Sequence, residues 1–209
     1  VLINCFLLQF ISRKSKENAI LLISFFILPF ISGYFILKNI EENQIDNFKV
    51  SMIQPNIRLE DKRDIYFSQM NLDHLIEKSK ECISSGTKLV VWPESALPFK
   101  ELQNNRTSNY IINNLLNQND TYLLSGDITK NKNKLYNSGV LLSKNGIKDI
   151  YHKKQLVPMG EYVPFSNNID YLKNINFGQT NFTSGTKTTI FKINDLSFSS
   201  LICFESTFP

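Results

Sequence analysis

The chain has 209 residues, 42% of them hydrophobic, and a formal net charge of +4. That length suffices for one core of ordinary size with accessory segments. Its basic residues stand singly or in small groups rather than in a dense stripe, which argues against nucleic-acid binding. Two histidines without a Cys-x-x-Cys pair argue against a zinc site, and three cysteines cannot build a disulfide framework.

The N-terminal 40 residues have the pattern of a membrane segment. Residues 19–37 form a run of 19 uncharged residues, and a helix of that length spans roughly 28 Å, close to the hydrocarbon thickness of a bilayer. Pro29 and Gly33 are tolerated in membrane helices, and Tyr34 and Lys38 suit the interface. The sequence therefore predicts a transmembrane helix over 19–37, with a buried core helix as the alternative.

A second apolar run, residues 1–11, is interpreted as part of another membrane helix. It lacks the basic region and the small-residue cleavage site of a signal peptide. The short loop between the two runs, residues 12–18, carries three basic residues and one acidic residue. The positive-inside rule places this loop in the cytoplasm. We therefore expect the chain after about residue 40 to lie on the opposite face, which is periplasmic in a bacterium.

From residue 41 to residue 209, strand and helix patterns alternate in the manner of a layered α/β domain. Between the predicted elements runs a long loop over 155–187, and loops of that length are usually functional. The predicted strands are 49–54, 88–92, 121–127, 136–143, 147–151, 188–193 and 196–204, and the predicted helices are 61–85 and 105–119.

Three reactive groups follow or end predicted strands: Glu94, Lys153 and Cys203. Open α/β sheets keep their sites at strand ends. A carboxylate serves as a general base, an ammonium stabilises an oxyanion and a thiolate is a nucleophile, so together they suit acyl transfer through a thioester.

Each of these groups also has a structural alternative. Glu94 alone could be a solvated loop acid, and Cys203 alone could be a core residue. Glu161 could orient the site or simply pair with a lysine. The other two cysteines, Cys5 and Cys82, are predicted to be inert packing residues.

These segments resemble the nitrilase superfamily and, within it, the apolipoprotein N-acyltransferase family. The string Leu-Val-Pro-x-Gly-Glu-Tyr-Val-Pro at 156–164 is specific for that family. The resemblance implies an incomplete nitrilase-like α-β-β-α sandwich over 41–209, preceded by a transmembrane α-helix in the membrane segment 1–40. The matching segments are 50–57, 92–98, 136–138, 151–164 and 202–205.

By that resemblance, Glu94 is the general base, Lys153 the oxyanion stabiliser and Cys203 the nucleophile. Glu161 and Glu205 are the supporting acids.

Three positions depart from the family pattern. Phe204, whose backbone N–H is a further oxyanion donor by the resemblance, stands where tyrosine is usual. Arg63 replaces a usual tryptophan, which weakens any expectation of an aromatic cover over the lipid. Gln155 replaces a common histidine, so no imidazole is implied there.

The resemblance further implies an enzyme of the bacterial inner membrane, with its catalytic domain on the periplasmic side and no cofactor. Its acyl donor is a phospholipid and its acceptor a diacylglyceryl-apolipoprotein, so it works at membrane lipid. Phe165, Phe177 and Phe182 in the long loop are candidates for contact with the interface, with loop packing as the alternative.

Two other functions stay open from the residues. One is a membrane-anchored amidase or hydrolase of the nitrilase type, and the other is a non-catalytic membrane binding protein. Because the chain starts at Val1 and stops at Pro209, just after Cys203, we expect it to be a fragment truncated at both ends and inactive alone.

Overall fold

A computed structural model describes residues 2–13, 16–39, 48–58, 61, 65–97, 102–117, 120–164 and 181–208. The chain divides into two compact units, Val1–Asp46 and Asn47–Pro209.

The first unit is a pair of helices, α1 over Leu2–Arg13 and α2 over Lys16–Asn39. Within α2, the stretch Ala19–Asn39 has a mean hydropathy of 2.4 and is not buried against protein. By length and composition it is the one helix in the described ranges that could cross a membrane. Because none of this stretch is buried, the alternative of a buried core helix does not hold.

The second unit is built on a five-stranded mixed sheet in the order β1-β2-β3-β4-β5. The first three strands are mutually parallel, and β4 and β5 continue the sheet as antiparallel hairpins. The strands are β1 Val50–Met52, β2 Leu89–Val91, β3 Tyr122–Asn131, β4 Lys134–Ser143 and β5 Gly146–His152.

Helices connect the parallel strands, as β-α-β units require. A 3₁₀ turn over Ile65–Phe67 leads into α3, Ser68–Ile83, and Gly86 with φ of 89° turns the chain towards β2. Between β2 and β3, α4 covers Asn105–Ile111 and continues as a π-helical turn, Ile112–Leu116.

Alternate residues of the sheet face two different cores, because successive side chains in a strand point to opposite sides. On one face, residues such as Val90 and Leu123 pack with the helices. On the other, residues such as Leu89 and Leu141 pack against a two-stranded ribbon of β6, Phe191–Ile193, and β7, Leu196–Phe198. The unit therefore has three layers: the helices, the five-stranded sheet and the two-stranded ribbon.

Most predicted strands are present with shifted ends, but the strand predicted over 196–204 is wrong beyond Phe198. The chain leaves the extended conformation and forms a 3₁₀ helix over Cys203–Thr207. Two features account for this. Cys203 adopts φ of 51°, which breaks a strand, and the Glu205 carboxylate accepts the Ile202 N–H at 2.9 Å.

Strand β3 is longer than its apolar stretch, because its polar end residues pair with β4. Ile128 lies opposite Asn137 and Thr129 opposite Tyr136. Cross-strand pairing thus extends the hairpin past the point where hydrophobicity predicts a strand.

Candidate active site

Glu94 lies in a tight turn directly after β2. Trp92 still pairs with β3 through its N–H, 2.8 Å from the Leu124 oxygen, and its buried indole donates to Ser79 Oγ at 2.8 Å. Pro93 then ends the ladder, and Ser95 adopts φ of 50°. The half-buried Glu94 side chain is therefore held on a turn whose entry is fixed by a core tryptophan.

Gly126 of β3 is what allows this turn to lie against the sheet. A Cβ atom at Gly126 would stand 2.7 Å from Glu94 Cα, 2.8 Å from the Pro93 oxygen and 2.9 Å from the Ser95 nitrogen. All three contacts are with backbone, which cannot move aside as a side chain can. A glycine is required at this position for the observed approach.

Asn137 of β4 joins two acids. Its Nδ2 donates to Glu94 Oε1 at 2.7 Å and to Glu161 Oε1 at 2.8 Å. The trigonal geometry of an amide nitrogen puts those two oxygens about 5 Å apart. Two ionised carboxylates at that distance repel by roughly 3 kcal/mol at an effective dielectric constant near 20.

The Lys153 ammonium compensates for this charge. Its Nζ lies 3.0 Å from Glu161 Oε1 and 2.9 Å from Oε2, and the side chain is 1% exposed. Such a buried ion pair is tolerated when its remaining hydrogen-bonding capacity is used. Val157 N–H donates to Glu161 Oε2 at 2.8 Å, and Glu161 N–H returns to the Val157 oxygen at 2.8 Å. Glu161 therefore pairs with a lysine, which is one of its predicted alternatives, and it also accepts hydrogen bonds from Asn137 and Val157.

The chain that follows the long loop is bonded to the same region. Phe182 N–H donates to the Glu161 oxygen and Gly185 N–H to the Lys153 oxygen, both at 2.8 Å. Phe182 is half-buried here, whereas Phe165 and Phe177 lie outside the described residues, as does Arg63. These bonds fix the backbone on either side of the Lys153–Glu161 pair.

Glu205 anchors the turn that carries Cys203. Its Oε1 accepts from Tyr151 Oη at 2.7 Å and from the backbone N–H groups of Lys154 at 2.7 Å and Gln155 at 3.1 Å, while Oε2 accepts from Ile202 N–H. Burial opposes its ionisation, but these donors outweigh burial and hold the pKa of Glu205 below its usual 4.5. Burial, and next the bond to Glu205, raise the pKa of Tyr151.

Cys203 is therefore tied to the end of β5, beside the residues that follow Lys153. Its side chain is exposed, and its φ of 51° is a strained conformation of the kind that clusters at functional sites. Phe204 next to it is exposed, with its ring packed edge-on against Phe208 at 5.1 Å between centroids.

The fold thus brings Glu94, Glu161 and Lys153 into one hydrogen-bonded array, and Glu205 joins the Cys203 turn to the strand end that bears Lys153. Neither Asn137 nor Gly126 was predicted as a site residue. Asn137 lies in the segment 136–138 that matches the family pattern, and it is an amide in a strand, where asparagine is depleted. Among the described residues, no group of three His, Cys, Asp or Glu side chains is placed to hold a metal ion.

Comparison with known proteins identifies the family of this α/β unit. The model of the carbon–nitrogen hydrolase family matches residues 49–209, and the chain belongs to that family. The prediction of a nitrilase-like α/β fold is therefore confirmed.

Within this family, the chain is similar to curated proteins that are named apolipoprotein N-acyltransferase. The chain is 32% identical over 176 residues to an apolipoprotein N-acyltransferase of Rickettsia prowazekii, covering 78% of this chain and 33% of the relative. It is 26% identical to the apolipoprotein N-acyltransferase of Haemophilus ducreyi, covering 100% of this chain and 43% of that relative. The chain thus spans between a third and a half of the length of these relatives.

A solved structure supports the fold. A variant of the amidase from Nesterenkonia sp. AN1, with the acetamide moiety of fluoroacetamide covalently added at its active-site cysteine, matches with a TM-score of 0.54. The match covers 78% of this chain and 58% of the amidase at 14% identity, so it bears on the fold alone.

Proposed function

We propose that this protein is an N-acyltransferase that moves a fatty acyl chain from a phospholipid to the N-terminal amine of a diacylglyceryl-cysteine apolipoprotein. The observation that carries the proposal is the hydrogen-bonded array of Glu94, Asn137, Glu161 and Lys153, together with the strained Cys203 turn that Glu205 ties to the residues after β5. The names of the curated relatives favour this acyl transfer over other reactions of the family.

In the first half-reaction, Glu94 accepts the Sγ proton of Cys203, and the thiolate attacks the ester carbonyl of the phospholipid. Lys153, with the Phe204 backbone N–H, stabilises the tetrahedral oxyanion. One such donor is typically worth about 2.7–4 kcal/mol of barrier. The C–S bond forms, the ester C–O bond breaks, and Glu94 gives its proton to the departing lysophospholipid oxygen.

In the second half-reaction, the amine of the lipopeptide attacks the thioester carbonyl. Glu94 accepts a proton from the attacking nitrogen, the C–N bond forms and the C–S bond breaks. The proton then returns to the Cys203 sulfur, so the enzyme is regenerated and the product is an amide. This ping-pong sequence needs no cofactor, and Glu161 and Glu205 act by holding Lys153 and the Cys203 turn.

Both substrates are lipids, so a membrane anchor serves this reaction. The helix Ala19–Asn39 would hold the enzyme in the bacterial inner membrane, with the unit after residue 46 on the periplasmic side. Phe182 would contact the lipid interface from the end of the long loop.

The test is intact-mass analysis of full-length protein incubated with a defined phospholipid, followed by a synthetic diacylglyceryl-cysteine peptide. We expect a mass gain of one acyl chain on the wild type, its discharge when the peptide is added, and no gain on Cys203→Ala. Cys82→Ser, at a half-buried cysteine packed on the helical side of the sheet, should leave the mass gain intact.

Two results would contradict the proposed acyl transfer and favour a different function. Release of ammonia from an amide without acyl transfer would favour the hydrolase. A folded wild-type protein that never acquires the acyl group would favour a binding protein.

A further inference from the structure

Asn137 occupies the centre of the site without belonging to the three reactive groups. Its side chain is buried, with 6% of the residue exposed. An amide nitrogen carries two hydrogens, and here one points to Glu94 and the other to Glu161. Both donors of the side chain are thus used on carboxylates that arrive from different segments of the chain.

The backbone of Asn137 belongs to the same array. Its carbonyl oxygen accepts the Lys153 N–H at 2.8 Å, so the asparagine contacts the residue that pairs with Glu161. This bond continues the pairing of β4 with β5 and fixes the backbone of Asn137 relative to that of Lys153.

Glu161 and Glu94 are each bonded to Asn137 but differ in how they join the Lys153 ion pair. Glu161 has the Lys153 ammonium on both of its oxygens and the Val157 N–H on one. Glu94 lies on a turn after β2 and is joined to this ion pair through the Asn137 amide, 43 residues away in sequence. The neutral donor holds the Glu94 carboxylate at a set distance from a second carboxylate that would otherwise repel it.

We propose that Asn137 is a positioning residue, whose amide sets the direction and spacing of the Glu94 carboxylate relative to the Lys153–Glu161 pair. This inference rests on the proposed function, in which Glu94 is the general base. Misplacing a catalytic group by about 1 Å can cost on the order of 10²-fold in rate. Asn137 acts on the chemical step and not on the binding of the lipid.

The experiment uses full-length protein and variants that change the Asn137 amide. Asn137→Leu keeps the branched shape at a larger volume and has no donor, and Asn137→Asp keeps shape and volume and presents oxygen to both acids. Asn71→Leu is the matched control, because Asn71 is also a buried asparagine whose Nδ2 donates, to the Asp61 oxygen at 3.1 Å, on the helical layer.

Rapid quenching and intact mass give the rate constant and the amplitude of Cys203 acylation as a function of phospholipid concentration. For Asn137→Leu we expect a rate constant lower by about 10²-fold, with KM and amplitude within about twofold of wild type. Asn137→Asp should be no faster, and Asn71→Leu should keep the wild-type rate constant. Asn137→Ser, which can donate to one acid only, should be intermediate.

A structural role would give a different pattern. If Asn137→Leu lowers only the amplitude or the Tm and keeps the rate constant, or if Asn137→Asp restores the wild-type rate, Asn137 fills space and the inference is overturned. Should Asn137→Leu fail to fold, a wild-type rate in Asn137→Ser overturns it in the same way.

A second readout separates this inference from the proposed function. Alkylation of Cys203 by iodoacetamide needs no acyl donor, and it should slow in Asn137→Leu but not in Asn71→Leu, with Cys203→Ala as the blank. If the wild type is alkylated faster than Asn137→Leu yet never acylated, the proposed function fails and the positioning role stands. Equal alkylation rates overturn the positioning role.

Discussion

Gly126 sets how closely the Glu94 turn approaches strand β3. Its partner across the β3–β4 pair is also a glycine, Gly139, but the two have different surroundings. A Cβ atom at Gly139 would first meet Ser200 Oγ at 3.4 Å, which belongs to a side chain that can rotate. Substituting each of the two paired glycines therefore distinguishes the close approach of the Glu94 turn from the general effect of glycine in a strand.

Gly126→Ala is expected to push the Glu94 turn away from the sheet, because the new methyl group would overlap backbone atoms. Overpacking of this kind typically costs about 1–3 kcal/mol, and we expect at least a tenfold loss in the rate of Cys203 acylation, measured by intact mass. Gly139→Ala is the control and should keep the rate within about twofold, since methyl groups at ordinary contact distance are tolerated. Equal losses in both variants would contradict this explanation.

At the scale of elements, strands β3, β4 and β5 are joined on one face by three polar side chains. Ser138 Oγ lies 2.6 Å from Thr129 Oγ1 and 2.9 Å from His152 Nδ1, and the His152 ring stacks on Tyr136 with centroids 4.2 Å apart. Burial lowers the pKa of His152 below its usual 6.5. The neutral imidazole therefore belongs to the native hairpins that carry Asn137 and Lys153.

This cluster predicts a loss of stability in mild acid. Unfolded His152 takes up a proton below its usual pKa of 6.5, whereas the folded residue does so only at lower pH, so the stabilisation is complete above pH 6.5 and declines as the pH falls through this window. The Tm, followed by intrinsic fluorescence, should drop by a few degrees between pH 7.5 and 5.5 in the wild type. His152→Gln should flatten that part of the profile.

The second histidine provides the control for this measurement. His74→Gln keeps His152 and should retain the acid-side decline in Tm. A His152→Gln protein that loses as much Tm as the wild type over the same pH range would show that other groups are responsible.

At the scale of the whole molecule, an apolar helical unit precedes the α/β unit. Between its polar ends, α2 exposes many large apolar side chains, such as Phe30 and Leu37. In water this surface would be costly at about 25 cal/mol per Å², which a bilayer removes. The orientation of the chain across that bilayer is a prediction from the charges of residues 12–18.

Cysteine labelling tests this orientation. In intact cells with a permeabilised outer membrane, an impermeant maleimide should label Asn145→Cys, in the exposed turn between β4 and β5, and should spare Glu17→Cys, near the start of α2. Both variants are made in a background with Cys5→Ala and Cys203→Ala, because these two native cysteines are exposed. If the maleimide labels Glu17→Cys and does not label Asn145→Cys, the predicted topology is contradicted and the opposite orientation is supported.

Much of the fold is local in origin and could be predicted. The apolar run from residue 19 dictates a membrane-type helix. Apolar residues in β3 and β4 predict strands, and the structure buries alternate residues of β3 and a continuous run of β4. Strand ends were less predictable, because the polar end of β3 is extended only by its partner β4. The error at 196–204 has the same origin, since Glu205 draws the Ile202 N–H out of any ladder.

Local chemistry also selected the candidate reactive groups: a carboxylate, an ammonium and a thiol at the ends of apolar runs predicted Glu94, Lys153 and Cys203. Only the tertiary structure decided that Asn137 lies between two acids, that Glu161 holds Lys153, and that Cys203 begins a turn with positive φ. The physical reason is that hydrogen bonds are directional. Whether a donor in one strand meets acceptors dozens of residues away depends on strand register and loop closure, which leave no local pattern in the sequence.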